Sequence, residues 1–189
     1  MPFEQFLLLQ FLAHVLADYF FQTSAMAYQK NKLGFKSRLL PLHILIVFVC
    51  SWLLSFQIEF FVGAGIIAIL HYIIDGFKAK VTAHKSFWKY AFFADQLLHL
   101  AVLVGVSWVF SKHHGLAPLW ENPFSTTQIA IAIAYLCCLK PANIIIKEVF
   151  RSSQIDVAIA AREKAEILDG ADELPNAGKL IGILERTLA

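Results

Sequence analysis

The sequence predicts an all-α fold: a polytopic transmembrane bundle of five spans, with short amphipathic helices on the cytoplasmic side. Three observations predict it. Of 189 residues, 58% are hydrophobic and 16% are Asp, Glu, Lys or Arg, with a mean hydropathy of +0.62; a soluble domain has about 45–50% and about 25%. The apolar residues gather in five stretches near the length that a hydrocarbon core of about 30 Å asks of a helix. The basic residues gather in alternate connections. The same composition excludes a disordered chain, a secreted disulfide scaffold and a nucleic-acid module with a broad basic face. Cys50, Cys137 and Cys138 lie in apolar runs without metal-type spacing or an even framework, and are expected to be reduced.

The first stretch, Phe3–Gln22, has no basic leader, and Asp18 stands where a small-residue cleavage site belongs, so it reads as a retained span rather than a signal peptide. Leu40–Phe56, Phe60–Phe77 and Tyr90–Phe110 are too long, and too lacking in period-two alternation, to be strands. The fifth, Gln128–Lys147, follows Pro123 and opens on Ser125-Thr126-Thr127-Gln128, a capping-box pattern. Pro141 is expected to kink it near its inner end. From Ser152 the composition turns acidic, with seven acidic and four basic residues. Ile155–Leu168 reads as a short helix stopped at Gly170, Asp172–Gly178 as a loop around Pro175, and Lys179–Ala189 as a second amphipathic segment. Residues 1–151 are thus expected to form the membrane domain and 152–189 a cytoplasmic tail, in which Gly178-x-x-x-Gly182 offers a weak helix-packing face.

Charge sets the orientation. Lys30, Lys32, Lys36 and Arg38 lie between the first two spans, and Lys78, Lys80, Lys85 and Lys89 between the third and fourth. The second-to-third turn has only Glu59, and the fourth-to-fifth loop sets Lys112 against Glu121. Positive charge stays on the cytoplasmic side, so the expected protein is multi-pass in the cell inner membrane, N-terminus outside and C-terminus in the cytoplasm.

The informative residues are those that do not belong in lipid. His14, Asp18 and Gln22 lie in the first span, His43 in the second, His71 and Asp75 in the third, and Asp95, Gln96 and His99 in the fourth. An Asp at mid-helix costs roughly 2.5–3.5 kcal/mol on insertion scales, so these groups need partners or water. His14/Asp18 and His71/Asp75 read His-x-x-x-Asp, and Asp95/His99 reads in reverse, as a span running the other way requires. Residues four apart share one helix face, with β-carbons about 5–6 Å apart, the spacing by which two ligands on one helix grip a metal. The topology brings His14, Asp18, His43, His71, Asp75, Asp95 and His99 to one depth in the cytoplasmic half of the bilayer. As a metal site they would take one or two divalent transition ions, Zn, Mn, Fe or Ni. Either the Asp residues orient imidazole ligands, or both types coordinate and hold two ions. Without an ion they would be hydrogen-bonded staples of the bundle. Lys140, before Pro141, either snorkels to the inner interface or faces the cluster and holds a phosphate or carboxylate. Gln22, Gln96 and Lys78 are candidate supports. His84, His113 and His114 fall in loops and read as solvated.

These residues resemble an uncharacterised bacterial membrane-protein family, domain of unknown function 3307. The resemblance rests on His14-x-x-x-Asp18-x-x-x-Gln22 followed by Met26 and Lys30, on His43, on His71-x-x-x-Asp75-x-x-Lys78 and Asp95-Gln96-x-x-His99, and on the tail segment Gly178–Arg186. It supports the polar cluster as the site and implies no activity.

The function expected first is a metal-dependent hydrolase or transferase acting on a membrane-associated (phospho)lipid-like substrate, with Asp18, Asp75, Asp95 and Lys140 as the catalytic candidates. The alternatives are transport of a metal ion or proton, a haem or quinone protein, and a non-enzymatic anchor. The partners expected are the lipid bilayer and a lipid-phosphate substrate, with a second copy of the chain or a cytoplasmic partner engaged through the tail, and no nucleic acid.

Overall fold

The structure, a computed structural model, describes residues 1–83, 90–118 and 124–152; they are helical, with no strand among them. His84, Lys85, Lys89, Pro123 and the tail elements expected over 153–189, including the Gly178/Gly182 face, lie outside the described residues. The helices are α1 (Phe3–Val15), α2 (Ser24–Leu33), α3 (Leu40–Leu54), α4 (Phe61–Ala83), α5 (Ala91–His113), α6 (Thr126–Leu139) and α7 (Pro141–Ser152). The chain divides into two compact units, Met1–Ala134 and Tyr135–Ala189, the division falling inside α6.

Two segments, Ile58–Thr82 and Ala91–His113, are long and apolar enough to cross a membrane, and up to four are if each of two bent helix pairs counts as one. These apolar helices point to a membrane protein. α3 is apolar but has only 15 residues, about 22 Å at 1.5 Å per residue.

In the first unit, α1 packs on α3 and α5, and α4 packs on the same two, which closes a four-helix ring. At one end the ring is filled by Phe6, Phe60 and Phe110, with ring centroids 4.9–5.8 Å apart. Ala64, Val47, Ile67 and Leu103 continue this core. A buried polar pair bridges α1 and α3: Gln10 Nε2 donates to the Ser51 carbonyl at 3.0 Å, and Ser51 Oγ donates to Gln10 Oε1 at 2.6 Å. Beyond that pair, toward the other end, the apolar core gives way to His and Asp.

Two local departures from regular helix shape that end. Leu16–Phe20 is a single π-turn continuing α1, an arrangement found mostly as short bulges and often at functional sites. The chain then bends by 90° into α2, whose first turn is capped by Thr23 Oγ1 accepting from Met26 N at 3.2 Å. The connection expected after Gln22 is not all loop: Lys30 and Lys32 belong to α2, which packs on α4 and α3, while Lys36 and Arg38 lie in the turns that follow it. α2 stops at Gly34, which has φ 54°, the left-handed conformation that favours glycine at a helix end. A Cβ on Gly34 would also fall 2.5 Å from the Gly76 carbonyl oxygen, and one on Gly76 would enter the Phe35 ring. The two glycines therefore set how closely α2 approaches α4. Gly76→Ala is expected to cost about 1–3 kcal/mol through overpacking, read as a lower melting temperature in detergent; an unchanged melt would show that Phe35 moves aside freely.

α6 begins as the sequence predicts: Ser125 N donates to Gln128 Oε1 at 2.8 Å and Gln128 N to Ser125 Oγ at 3.2 Å, a reciprocal capping box. α6 and α7 meet at a 45° bend at Lys140–Pro141, the expected proline break. There Asn143 Nδ2 donates to the Leu139 carbonyl at 3.1 Å.

Candidate functional site

All seven predicted ligand residues converge at the polar end of the first unit. α1 and its π-turn bring His14 and Asp18, α3 brings His43, α4 brings His71 and Asp75, and α5 brings Asp95 and His99. His43, His71, Asp75, Asp95 and His99 are at most 4% exposed, and the side chains of His14 and Asp18 only 5%. The i, i+4 spacing does what the sequence reading asks of it: each His/Asp pair faces inward from one helix.

Two triangles of ligand atoms share one edge. His43 Nε2 and His71 Nε2 are 3.2 Å apart. Asp18 Oδ1 lies 3.5 Å from the first and 3.4 Å from the second. Asp75 Oδ2 lies 3.4 Å from each. A tetrahedral ion with bonds of about 2.0–2.1 Å sets its ligand atoms about 3.3 Å apart, so either triangle has the dimensions of one face of such a site. A third group, Asp75, Asp95 and His99, has its ligand atoms within 4.8 Å of one another, as do His14, Asp18 and His71. The His14 and His99 rings stack with centroids 5.6 Å apart, and the His71 ring lies tilted against His99 with centroids 3.9 Å apart. On their deep side, toward Gln10 and Ser51, is a cavity of about 10 Å³, the lower limit for one water.

Charge divides the two triangles. Asp75 accepts from the Lys30 ammonium through both oxygens, at 3.1 and 2.9 Å, and Lys30 is itself only 4% exposed. Lys30 Nζ also lies 3.5 Å from His43 Nε2. Asp95 Oδ2 accepts from Lys78 Nζ at 2.8 Å and from Gln96 Nε2 at 3.1 Å, while Gln96 Oε1 accepts from the Tyr19 hydroxyl at 2.8 Å. Asp18 has imidazole neighbours and no Lys or Arg within ion-pair distance among the described residues. Its Oδ1 makes no hydrogen bond, and neither do Asp95 Oδ1 or both ring nitrogens of His99. An unpaired buried carboxylate costs several kcal/mol. The donor set around Asp18, two imidazole nitrogens and a carboxylate oxygen with His14 beside them, suits a divalent cation, and the orphaned Oδ1 is aimed where one would sit.

The supports fall as expected in part. The Gln22 amide nitrogen is 3.2 and 3.1 Å from the two ring nitrogens of His43, and Gln96 and Lys78 both hold Asp95. Lys140 lies in the second unit with its side chain exposed. The cations paired with the cluster's carboxylates are Lys30 and Lys78; charge asymmetry explains Lys30 as a topology residue, and the family pattern also includes it. A local signal for it exists: Thr23 as cap, Gly34 as stop, and Met26 and Lys30 four residues apart on the one buried face of the helix between them.

Residues 6–123 match a protein family described as "Protein of unknown function (DUF3307)". No curated protein and no solved structure matches the chain.

Proposed function

The chain belongs to the DUF3307 family, whose function is unknown, and we propose that it is a metal-dependent hydrolase or transferase working at the inner leaflet of the cell membrane. The topology we propose has five spans, N-terminus outside and C-terminus cytoplasmic, which sets the His/Asp layer in the cytoplasmic half of the bilayer. The substrate class is a membrane-associated lipid phosphate or a similar amphiphile.

One observation carries this reading. Asp18 is buried beside two imidazole nitrogens 3.4–3.5 Å away, without, among the described residues, the ammonium partner within ion-pair distance that Asp75 and Asp95 each have. In the proposed site His43, His71 and Asp18 hold one zinc-like ion, with His14 beside them and Asp75, whose Oδ2 faces the same two ring nitrogens at 3.4 Å, as a further donor, while Lys30 balances the charge of Asp75. The ion would supply Lewis acidity and a bound water of lowered pKa. His99, whose ring nitrogens are free of hydrogen bonds, is placed to take or return a proton. Lys78 neutralises an anionic head. Transport is the weaker reading, because the Phe6/Phe60/Phe110 plug and the apolar core beneath it close the opposite end of the ring to ions.

Elemental analysis of the purified full chain tests the reading. The expected result is about one equivalent of transition metal in the wild type and less than a tenth of that in His71→Ala, with metal-dependent release of phosphate from an alkyl phosphate only in the former. A metal-free wild-type protein, still metal-free after loading with zinc or manganese, would overturn it.

A further inference from the structure

A groove of about 250 Å³ runs between α4 and α5 on the side of the ring away from α1 and α3. Ile73, Phe77, Val81 and Leu98 form its walls, and Ala91 and Ala94 leave the room for it. Among the described residues its only polar lining residues are Lys78 and Asp95, which pair with each other at 2.8 Å. The groove is thus apolar along its length and charged at one place. That place is continuous with the cluster, since Asp95 shares a group of ligand-type atoms within 4.8 Å with Asp75 and His99. Asp95 Oδ1 has no partner of its own.

We propose that this groove binds a single-chain lipid phosphate, its hydrocarbon chain along Ile73, Phe77, Val81 and Leu98 and its phosphate on Lys78. The walls favour a chain because they are open to lipid and offer it no polar group. The ammonium favours an anion, and with one of its three donors on Asp95 it has others for a phosphate oxygen in a charge-assisted contact. Bound in this way, the head group lies next to Asp95 and His99, within reach of the layer of His43, His71 and Asp18. A lipid phosphate would then arrive sideways from the leaflet rather than from water. The assignment rests on the metal-site reading above for its consequence, though not for its geometry.

The test uses the full chain in a neutral sterol-based detergent, titrated by calorimetry with dodecyl phosphate, inorganic phosphate and dodecyltrimethylammonium, with metal content measured on the same samples. Dodecyl phosphate is expected to bind one site at least tenfold more tightly than the other two. Ala94→Trp and Val81→Trp, which fill the groove from either wall, are expected to weaken it at least tenfold and leave the metal content unchanged. Val104→Trp, on the exposed face of α5 outside the groove, is expected to leave it unchanged. Equal binding of inorganic phosphate would overturn the proposal, as would both groove variants binding like the wild type. So would a dimer that Ala94→Trp dissociates and that binds no dodecyl phosphate, since a second copy would then occupy the groove. A metal-free protein with the full groove pattern would overturn the metal reading alone, and a metal-bearing protein that ignores dodecyl phosphate would overturn the groove alone.

Discussion

Lys30→Met is expected to destabilise the purified protein by about 3–5 kcal/mol, because it leaves a fully buried carboxylate without its cation. The side chain of Asp75 is 0% exposed, and both its oxygens accept from the Lys30 ammonium. Methionine keeps most of the aliphatic stem, so the loss reports the charge rather than the packing. The double variant Lys30→Met/Asp75→Asn removes both charges and is expected to recover part of the loss, since replacing a whole buried ion pair costs far less than breaking one. A double-mutant cycle in a mild detergent mixture, followed by reversible unfolding, measures the coupling. Strict additivity of the two single effects would sink the claim that they form one unit. The pair also ties α2 to α4, so Lys30→Met is expected to make the 21–36 segment more open to proteolysis than the rest of the ring.

Asp18→Asn has the opposite sign in the absence of metal. Among the described residues Asp18 has no ammonium within ion-pair distance, so removing its charge is expected to relieve part of the penalty of a buried, incompletely compensated ion. In chelator the variant is expected to melt higher than the wild type. On adding zinc or manganese the order reverses. The wild type gains stability by mass action, about 2.7 kcal/mol when the ion stands at a hundred times its dissociation constant, and Asp18→Asn gains little. Melting curves with and without metal give both comparisons in one experiment. If Asp18→Asn is less stable than wild type in chelator and still responds fully to metal, Asp18 is neither an unpaired charge nor a ligand.

The parts of this site legible in the sequence were those governed by local geometry and by the solvent. His14/Asp18, His71/Asp75 and Asp95/His99 each lie four residues apart, so helix periodicity alone puts them on a common face, and the cost of polar groups in lipid turns that face inward. Pro141 and the Ser125–Gln128 box were legible for the same reason: each acts within one turn of chain. The pairing of Lys30 was not: the family pattern includes the residue, but its partner Asp75 is 45 residues away, and a lysine between two apolar stretches is explained equally well by charge asymmetry across a membrane. The cap at Thr23 and stop at Gly34 mark the helix but not what it covers. The π-turn at Leu16–Phe20 has no residue signature. Lys140 has apolar neighbours in sequence, yet its side chain is exposed at the bend between α6 and α7. Apolar neighbours in sequence do not make a residue buried.

The 15 residues of α3 have one further consequence. In the proposed five-span topology its apolar length would be about 22 Å, some 8 Å less than an average hydrocarbon core. A short span is met by thinning the bilayer around it, at a cost of fractions of a kcal/mol per Å. His43 sits in the first turn of that helix, so in that topology the leaflet would be drawn thin where the His/Asp layer begins. Head groups and their water then stand several Å closer to the layer than the depth of the longer helices suggests. The protein should accordingly prefer thinner bilayers, and reconstitution across a series of phosphatidylcholine chain lengths should give its highest melting temperature at the short end.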